Sequence, residues 1–169
     1  MPKKYLILDA NVLIDYFKSD PSVLKLVSSH LGELFVALPV LEEVKEADQS
    51  LLESFGLVVV EPEVDALLEA GMKKGSLSFQ DRICILLAKE NGWSCVSNDK
   101  PLRRECEAEG IPVMWGLEMM VLLVAAGKLD RNAALEVANK IHQANPKYIG
   151  KGVVEDFKMK IGFEKKCKK

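Results

Sequence analysis

The chain has 169 residues, 49% of them hydrophobic and 28% charged, with a formal net charge of −2. That length fits one domain able to bury a real core, and the composition excludes a disordered chain. The balance offers no global attraction for nucleic acid, yet it is uneven: residues 1–144 hold 15 Lys and Arg against 22 Asp and Glu (−7), and residues 145–169 hold 8 against 3 (+5). A basic end on an acidic body can engage a polyanion only locally. The closing run Lys165-Lys166-Cys167-Lys168-Lys169 reads first as a solvated tail.

The longest apolar run, Leu117 to Ala126, is interrupted by Glu118 and is too short to span a bilayer. The opening Met1-Pro2-Lys3-Lys4 leads into a run without the length or cleavage site of a signal peptide. The expectation is a cytoplasmic protein with no membrane partner. Cys84, Cys95, Cys106 and Cys167 form no C-x-x-C pair, so reduced thiols are expected rather than a disulfide framework.

In chain order, Lys4 to Leu8 is a continuous apolar run, as expected of a strand covered on both faces, and Ala10 to Phe17 follows as a short helix. Pro21-Ser22 opens a helix to about His30. Leu34 to Ala37 is the next strand, and Pro39 starts a helix where its fixed φ helps. Leu57 to Val60 is a strand closed by Glu61-Pro62, and Val64 to about Lys74 is helical. Phe79 to Asn91 is the clearest helix, with Phe79, Ile83, Leu86 and Leu87 at helical spacing and Gly92 as its stop. Ser94 to Ser97 is a strand, Lys100 to Glu109 a helix, and Ile111 to Trp115 a strand. The repetition predicts an α/β fold: a central parallel sheet of about five strands with helices on both faces. From Gly116 the strand signal stops, and residues 117–126, 131–143 and about 151–161 read as additional C-terminal helices. They are expected to pack on the same domain.

Four acids recur at the junctions: Asp9, Glu43, Asp81 and Asp99. Singly, each has an ordinary explanation. Asp9 can cap the helix after it, Ser78 and Asp81 have capping-box spacing, and Asn98 or Asp99 can cap the next helix. Glu43 can be one exposed carboxylate beside Glu42 and Glu46. Jointly they say more, because helices of such a sheet begin at the carboxyl edge of the strands. Asp9 and Asp99 leave strands there, and Glu43 and Asp81 are expected in first turns of helices starting there. Arg82 and Lys100 should point away. Carboxylates brought together repel one another unless a cation holds them, and oxygen-only donors suit Mg²⁺ or Mn²⁺. Zinc would want His or Cys, and His30 and His142 lie far away in the chain. There is no G-x-x-x-x-G-K-[ST], G-x-G-x-x-G or G-x-S-x-G sequence.

With these residues in place, the chain resembles the PIN domain, the nuclease domain of VapC-like toxins and of several RNA-processing nucleases. The resemblance rests on Ile7-Leu8-Asp9-Ala10-Asn11-Val12-Leu13-Ile14-Asp15, which is similar to an opening D-x-[NS]-x-L-I segment. It continues through Pro39-Val40-Leu41-Glu42-Glu43-Val44, Phe79-Gln80-Asp81-Arg82 and Val96-Ser97-Asn98-Asp99-Lys100-Pro101-Leu102, over roughly residues 3–115. It implies a PIN-like three-layer nuclease domain over 1–115, a helical extension over 116–161 and a basic tail over 162–169. It further implies that Asp9, Glu43, Asp81 and Asp99 are metal-binding catalytic acids and that Asn11 and Ser97 support them. Glu42 competes with Glu43, which fits V-x-x-E-[LV] better.

The activity implied is Mg²⁺- or Mn²⁺-dependent hydrolysis of RNA phosphodiesters, leaving 5′-phosphate and 3′-hydroxyl ends, and a toxin role with an antitoxin partner is open. Lys45, Lys73, Lys74, Arg103, Arg104 and the terminal lysines are available for phosphate contacts. The alternative is a binding or scaffold protein on the same fold, with Leu117, Met120, Val121 and Val124 as a homodimer or antitoxin face. An aspartyl-phosphate mechanism at Asp9 would want a second acid two residues on, where Asn11 stands.

Overall fold

A computed structural model describes residues 2–164; Lys165–Lys169, which hold most of the expected basic tail and Cys167, lie outside the described residues. The elements are β1 (Lys4–Leu8), α1 (Ala10–Ser19), α2 (Ser22–His30), β2 (Gly32–Ala37), α3 (Leu38–Leu41), α4 (Gln49–Ser54), β3 (Leu57–Val60), α5 (Val64–Met72), α6 (Phe79–Asn91), β4 (Ser94–Val96), α7 (Lys100–Ala108), β5 (Val113–Met114), α8 (Glu118–Ala125), α9 (Arg131–Ala144) and α10 (Lys151–Lys160). No helix among the described residues is long and apolar enough to cross a membrane.

All five strands are parallel, in the order β3-β2-β1-β4-β5, with Leu6 opposite both Leu34 and Ser94. In the central strand Leu6, Ile7 and Leu8 are fully buried, as a parallel strand covered on both sides requires. β1 and β2 approach closely at Gly32, where a Cβ would lie 1.9 Å from the Lys4 carbonyl oxygen. Right-handed crossovers place the two directions of strand travel on opposite faces. Accordingly α2 packs on β2 and α4 on β3, while α6 packs on β1 and β4 and is flanked by α5 and α7. The C-terminal helices continue the first face: α8 packs on α2 and α9 on α1. Leu117 and Met120 are therefore buried within the chain, with Val121 and Val124 half-buried.

Three local readings are corrected. The Pro39 helix is one turn long, so Glu43 sits in the turn after α3 and not inside a helix; the chain bends there to bury Val44. A short helix, α4, follows it, begun by Asp48, whose side chain accepts from the Leu51 N–H at 2.8 Å. β5 is only two residues long, because Pro112 has no N–H to give the ladder, although its carbonyl still accepts from Cys95 at 2.8 Å.

Candidate active site

The strand order reverses beside β1: the chain proceeds from β1 to β2 on one side, and β4 lies on the other. At such a switch point the loops leaving two adjacent strands diverge and open a crevice at the carboxyl edge. Asp9 follows β1 and Ser97-Asn98-Asp99 follow β4, and the two loops are joined where the Asp9 N–H donates to the Val96 carbonyl at 3.2 Å.

Asp9 is 4% exposed. Its Oδ1 accepts from the Val12 N–H at 2.9 Å, and its Oδ2 accepts a short hydrogen bond from Ser97 Oγ. Ser97 Oγ in turn accepts from the Asp99 N–H at 3.0 Å, so one buried hydroxyl ties the Asp9 carboxylate to the Asp99 backbone. Asp99, rather than Asn98, caps α7, its Oδ2 accepting from the Leu102 N–H at 3.2 Å. Asn98 is buried and turned inward, where its Oδ1 accepts from the Gly116 N–H at 2.9 Å. Asp81 completes a reciprocal box with Ser78, both bonds at 3.1 Å. Three of the four acids are thus helix caps, as each read singly, and Glu43 caps nothing.

Asp9, Glu43, Asp81 and Asp99 all line one open cleft of about 460 Å³. Asn11 also lines it but makes no side-chain hydrogen bond among the described residues, so of the two expected supporting residues only Ser97 touches an acid. Cleft residues that were not foreseen include Gln80, one position before Asp81, Cys84 on α6, and Tyr148, from the linker between α9 and α10. Nothing in the local sequence around Tyr148 signals its position.

No Lys or Arg lines this cleft among the described residues. Arg82 is turned away, donating to the carbonyls of Ala70 at 3.4 Å and Gly75 at 3.2 Å. Arg103 stacks 3.7 Å over the Trp115 ring and donates to the Ser97 carbonyl at 3.1 Å. The acids therefore feel burial and one another. Burial pushes the Asp9 carboxyl up to about 7, helped by Asp81 and Asp15 and resisted by the bonds from Ser97 and Val12. Glu43 is raised too, by burial and then by Asp81. Burial also lifts the Cys84 thiol, with Asp9 and Asp81 adding to it, so this cleft residue is held as a thiol.

Among the described residues no three Asp, Glu, His or Cys side chains are grouped so as to hold a metal ion. The donor set is nonetheless all oxygen, and Oδ1 of Asp81 and of Asp99 has no hydrogen-bond partner among the described residues. Such a set fits a hydrated divalent cation, which keeps several waters and spans separated carboxylates through them.

No family model matches the chain, and no curated protein sequence does. Among solved structures the chain is similar to a PilT N-terminus domain protein from the hyperthermophilic archaeon Sulfolobus solfataricus, with a TM-score of 0.50 and 13% identity, over 74% of this chain and 93% of that chain. At that identity the likeness concerns the fold, and the fold of this chain is similar to that of a PilT N-terminus, or PIN, domain.

Proposed function

We propose that the chain is a metal-dependent endoribonuclease, with Asp9, Glu43, Asp81 and Asp99 as its acids. One observation carries the reading: four carboxylates from separate elements line a single cleft at the switch point, and among the described residues no cationic side chain joins them. Asp9 and Asp99 are the candidates to hold Mg²⁺ or Mn²⁺ directly, with Ser97 fixing both. Bound there, the ion would activate water and stabilise charge on a phosphodiester. The helix N-termini behind Asp9, Asp81 and Asp99 keep their carboxylates in place. Glu43, exposed and with its proton affinity raised, is suited to take the proton of an attacking water.

The test is cleavage of RNA with Mn²⁺ or Mg²⁺, with EDTA, and with Asp81→Asn, which keeps an oxygen for the Ser78 N–H. Cleavage abolished by both controls supports the reading; cleavage that survives both means another centre. An antitoxin partner remains part of the same proposal, and a toxin role stands or falls with it.

A second reading, a PIN-like binding protein with little catalysis, is favoured by a specific feature. Val64, Leu68 and Met72 stand at helical spacing on α5 and are 67%, 59% and 80% exposed. A homodimer or protein partner would cover that stripe. Light scattering together with a metal titration separates the two: a tight dimer without metal affinity favours the binding protein.

A further inference from the structure

The acidic cleft contains one aromatic ring, and it comes from the C-terminal helical region: Tyr148, between α9 and α10. The linker is anchored on both sides of it. Asn145 Nδ2 donates to Asp15 Oδ1 on α1 at 3.0 Å, and the Ile149 carbonyl lies 2.5 Å from His142 Nδ1, with Ile149 itself buried. The linker carrying Lys147 and Tyr148 is thereby fixed, with Tyr148 lining the cleft. Tyr148 does not behave as a core tyrosine. Tyr16, which is one, is fully buried and donates its hydroxyl to the Gly116 carbonyl at 2.7 Å. Tyr148 is half-buried, and its hydroxyl has no hydrogen-bond partner among the described residues. Lys147 Nζ stands 5.3 Å from the ring centroid.

A cleft of carboxylates without a cation gives a polynucleotide nothing to hold except any ion bound there. An aromatic face is indifferent to the charge of the backbone and accepts any base. We infer that Tyr148 is a substrate-positioning residue: its ring stacks on the base next to the phosphate presented to the acids, and Lys147 contacts the neighbouring phosphate. The inference rests on the nuclease reading above. It specifies single-stranded RNA, because bases within a duplex are already stacked on one another.

The experiment is steady-state cleavage of a short unstructured RNA with Mn²⁺ by the full chain and its Tyr148→Ala, Tyr148→Phe and Lys147→Ala variants, repeated with an abasic site at each position in turn. Binding of the same RNA is followed by fluorescence anisotropy in Ca²⁺. Tyr148→Ala is expected to raise KM about tenfold, the scale of one lost base–aromatic stack, with kcat unchanged, and Tyr148→Phe to match the wild type. One abasic position should weaken the wild type to the same extent and leave Tyr148→Ala unaffected. Lys147→Ala should lower the slope of log affinity against log salt by about one. The inference is overturned by an unchanged KM in Tyr148→Ala, by a Phe variant as impaired as the Ala variant, or by abasic penalties independent of residue 148. A wild-type chain that neither cuts nor binds the RNA overturns the nuclease reading, and this inference with it; cleavage by the wild type with any of the other results overturns this inference alone.

Discussion

Two hollows lie on either side of the first turn of α6, and their charges are treated differently. One is the acidic cleft. The other, of about 270 Å³, is lined by Lys73, Lys74, Arg82 and Glu105 among others. In the basic hollow, two of the three cations are answered within the chain: Arg82 donates to carbonyls at the end of α5 and beyond it, and Lys73 lies 3.4 Å from Glu69. The end of a helix favours a cation there. In the acidic cleft, helix N-termini answer Asp9, Asp81 and Asp99 only in part, and nothing among the described residues answers Glu43. Buried Asp9 is left holding its proton up to about pH 7. Charge balanced locally is the signature of packing, and charge left unbalanced marks where an external cation is called for.

The strongest way to break this contrast is at the acids. Asp81→Asn is expected to lower RNA cleavage by on the order of a hundredfold or more, the scale of losing a group that acts on the transition state. Circular dichroism should remain unchanged, since the capping oxygen is kept. A variant that still cuts at the wild-type rate would remove Asp81 from the site.

The next effect is on stability. Asp9's proton affinity is raised from the ordinary 3.8 to about 7, so the native state holds that proton more tightly than the unfolded chain. The resulting stabilisation is full below the unfolded value and is lost as pH rises through about 7. Its size is at most about 4 kcal/mol, from roughly three pH units of difference. Asp15, raised to about 6 by burial, acts in the same direction. Thermal unfolding in EDTA should therefore show the wild type losing stability between about pH 4 and about pH 7, with Asp9→Asn losing less and a residual slope left by Asp15. Added Mn²⁺ should restore the wild type more at pH 8 than at pH 6. Equal slopes in wild type and Asp9→Asn would mean that Asp9 is not strained by its burial.

Ser97→Ala sharpens the comparison from within the cleft. The hydroxyl donates to Asp9 and accepts from the Asp99 N–H, so removing it loosens two acids without deleting either. Mn²⁺ affinity measured by calorimetry should fall about tenfold, as when the groups that orient metal ligands are removed. Unchanged affinity would separate Ser97 from the ion.

How much of this was legible depended on whether the signal was local. α6 and β3 match their expected bounds because the stops are written beside them: the Ser78–Asp81 box, the left-handed Gly92 at φ 68°, and Glu61-Pro62 after β3. α4 is six residues with only Leu52 buried, too short to show periodicity, and only Asp48 hinted at it. The acids could be gathered from sequence because strand ends and helix starts share one edge in a parallel sheet. Glu43 was placed on that edge for the wrong local reason, since the helix expected to carry it ends at Leu41. Tyr148 was not legible at all. Its place depends on the Asn145–Asp15 bond, which joins residues 130 positions apart, in a region where strand–helix alternation has ended.

The smallest expected effect is at the basic hollow, and it is the control for all the others. Lys73 is 44% exposed by side chain and pairs with Glu69 one helical turn away, a geometry contributing roughly 0.3–0.5 kcal/mol. Lys74 has no ion pair among the described residues. A Lys73→Ala, Lys74→Ala double variant should unfold within about 0.5 kcal/mol of the wild type, as surface changes do. Its RNA cleavage should fall less than about threefold at moderate salt, since neither lysine lines the acidic cleft and the loss is of screened, general attraction. If cleavage instead falls as far as in Asp81→Asn, the two hollows are one site. Their charges would then be complementary halves of an RNA track, and the unbalanced acids alone would not define where the chemistry happens.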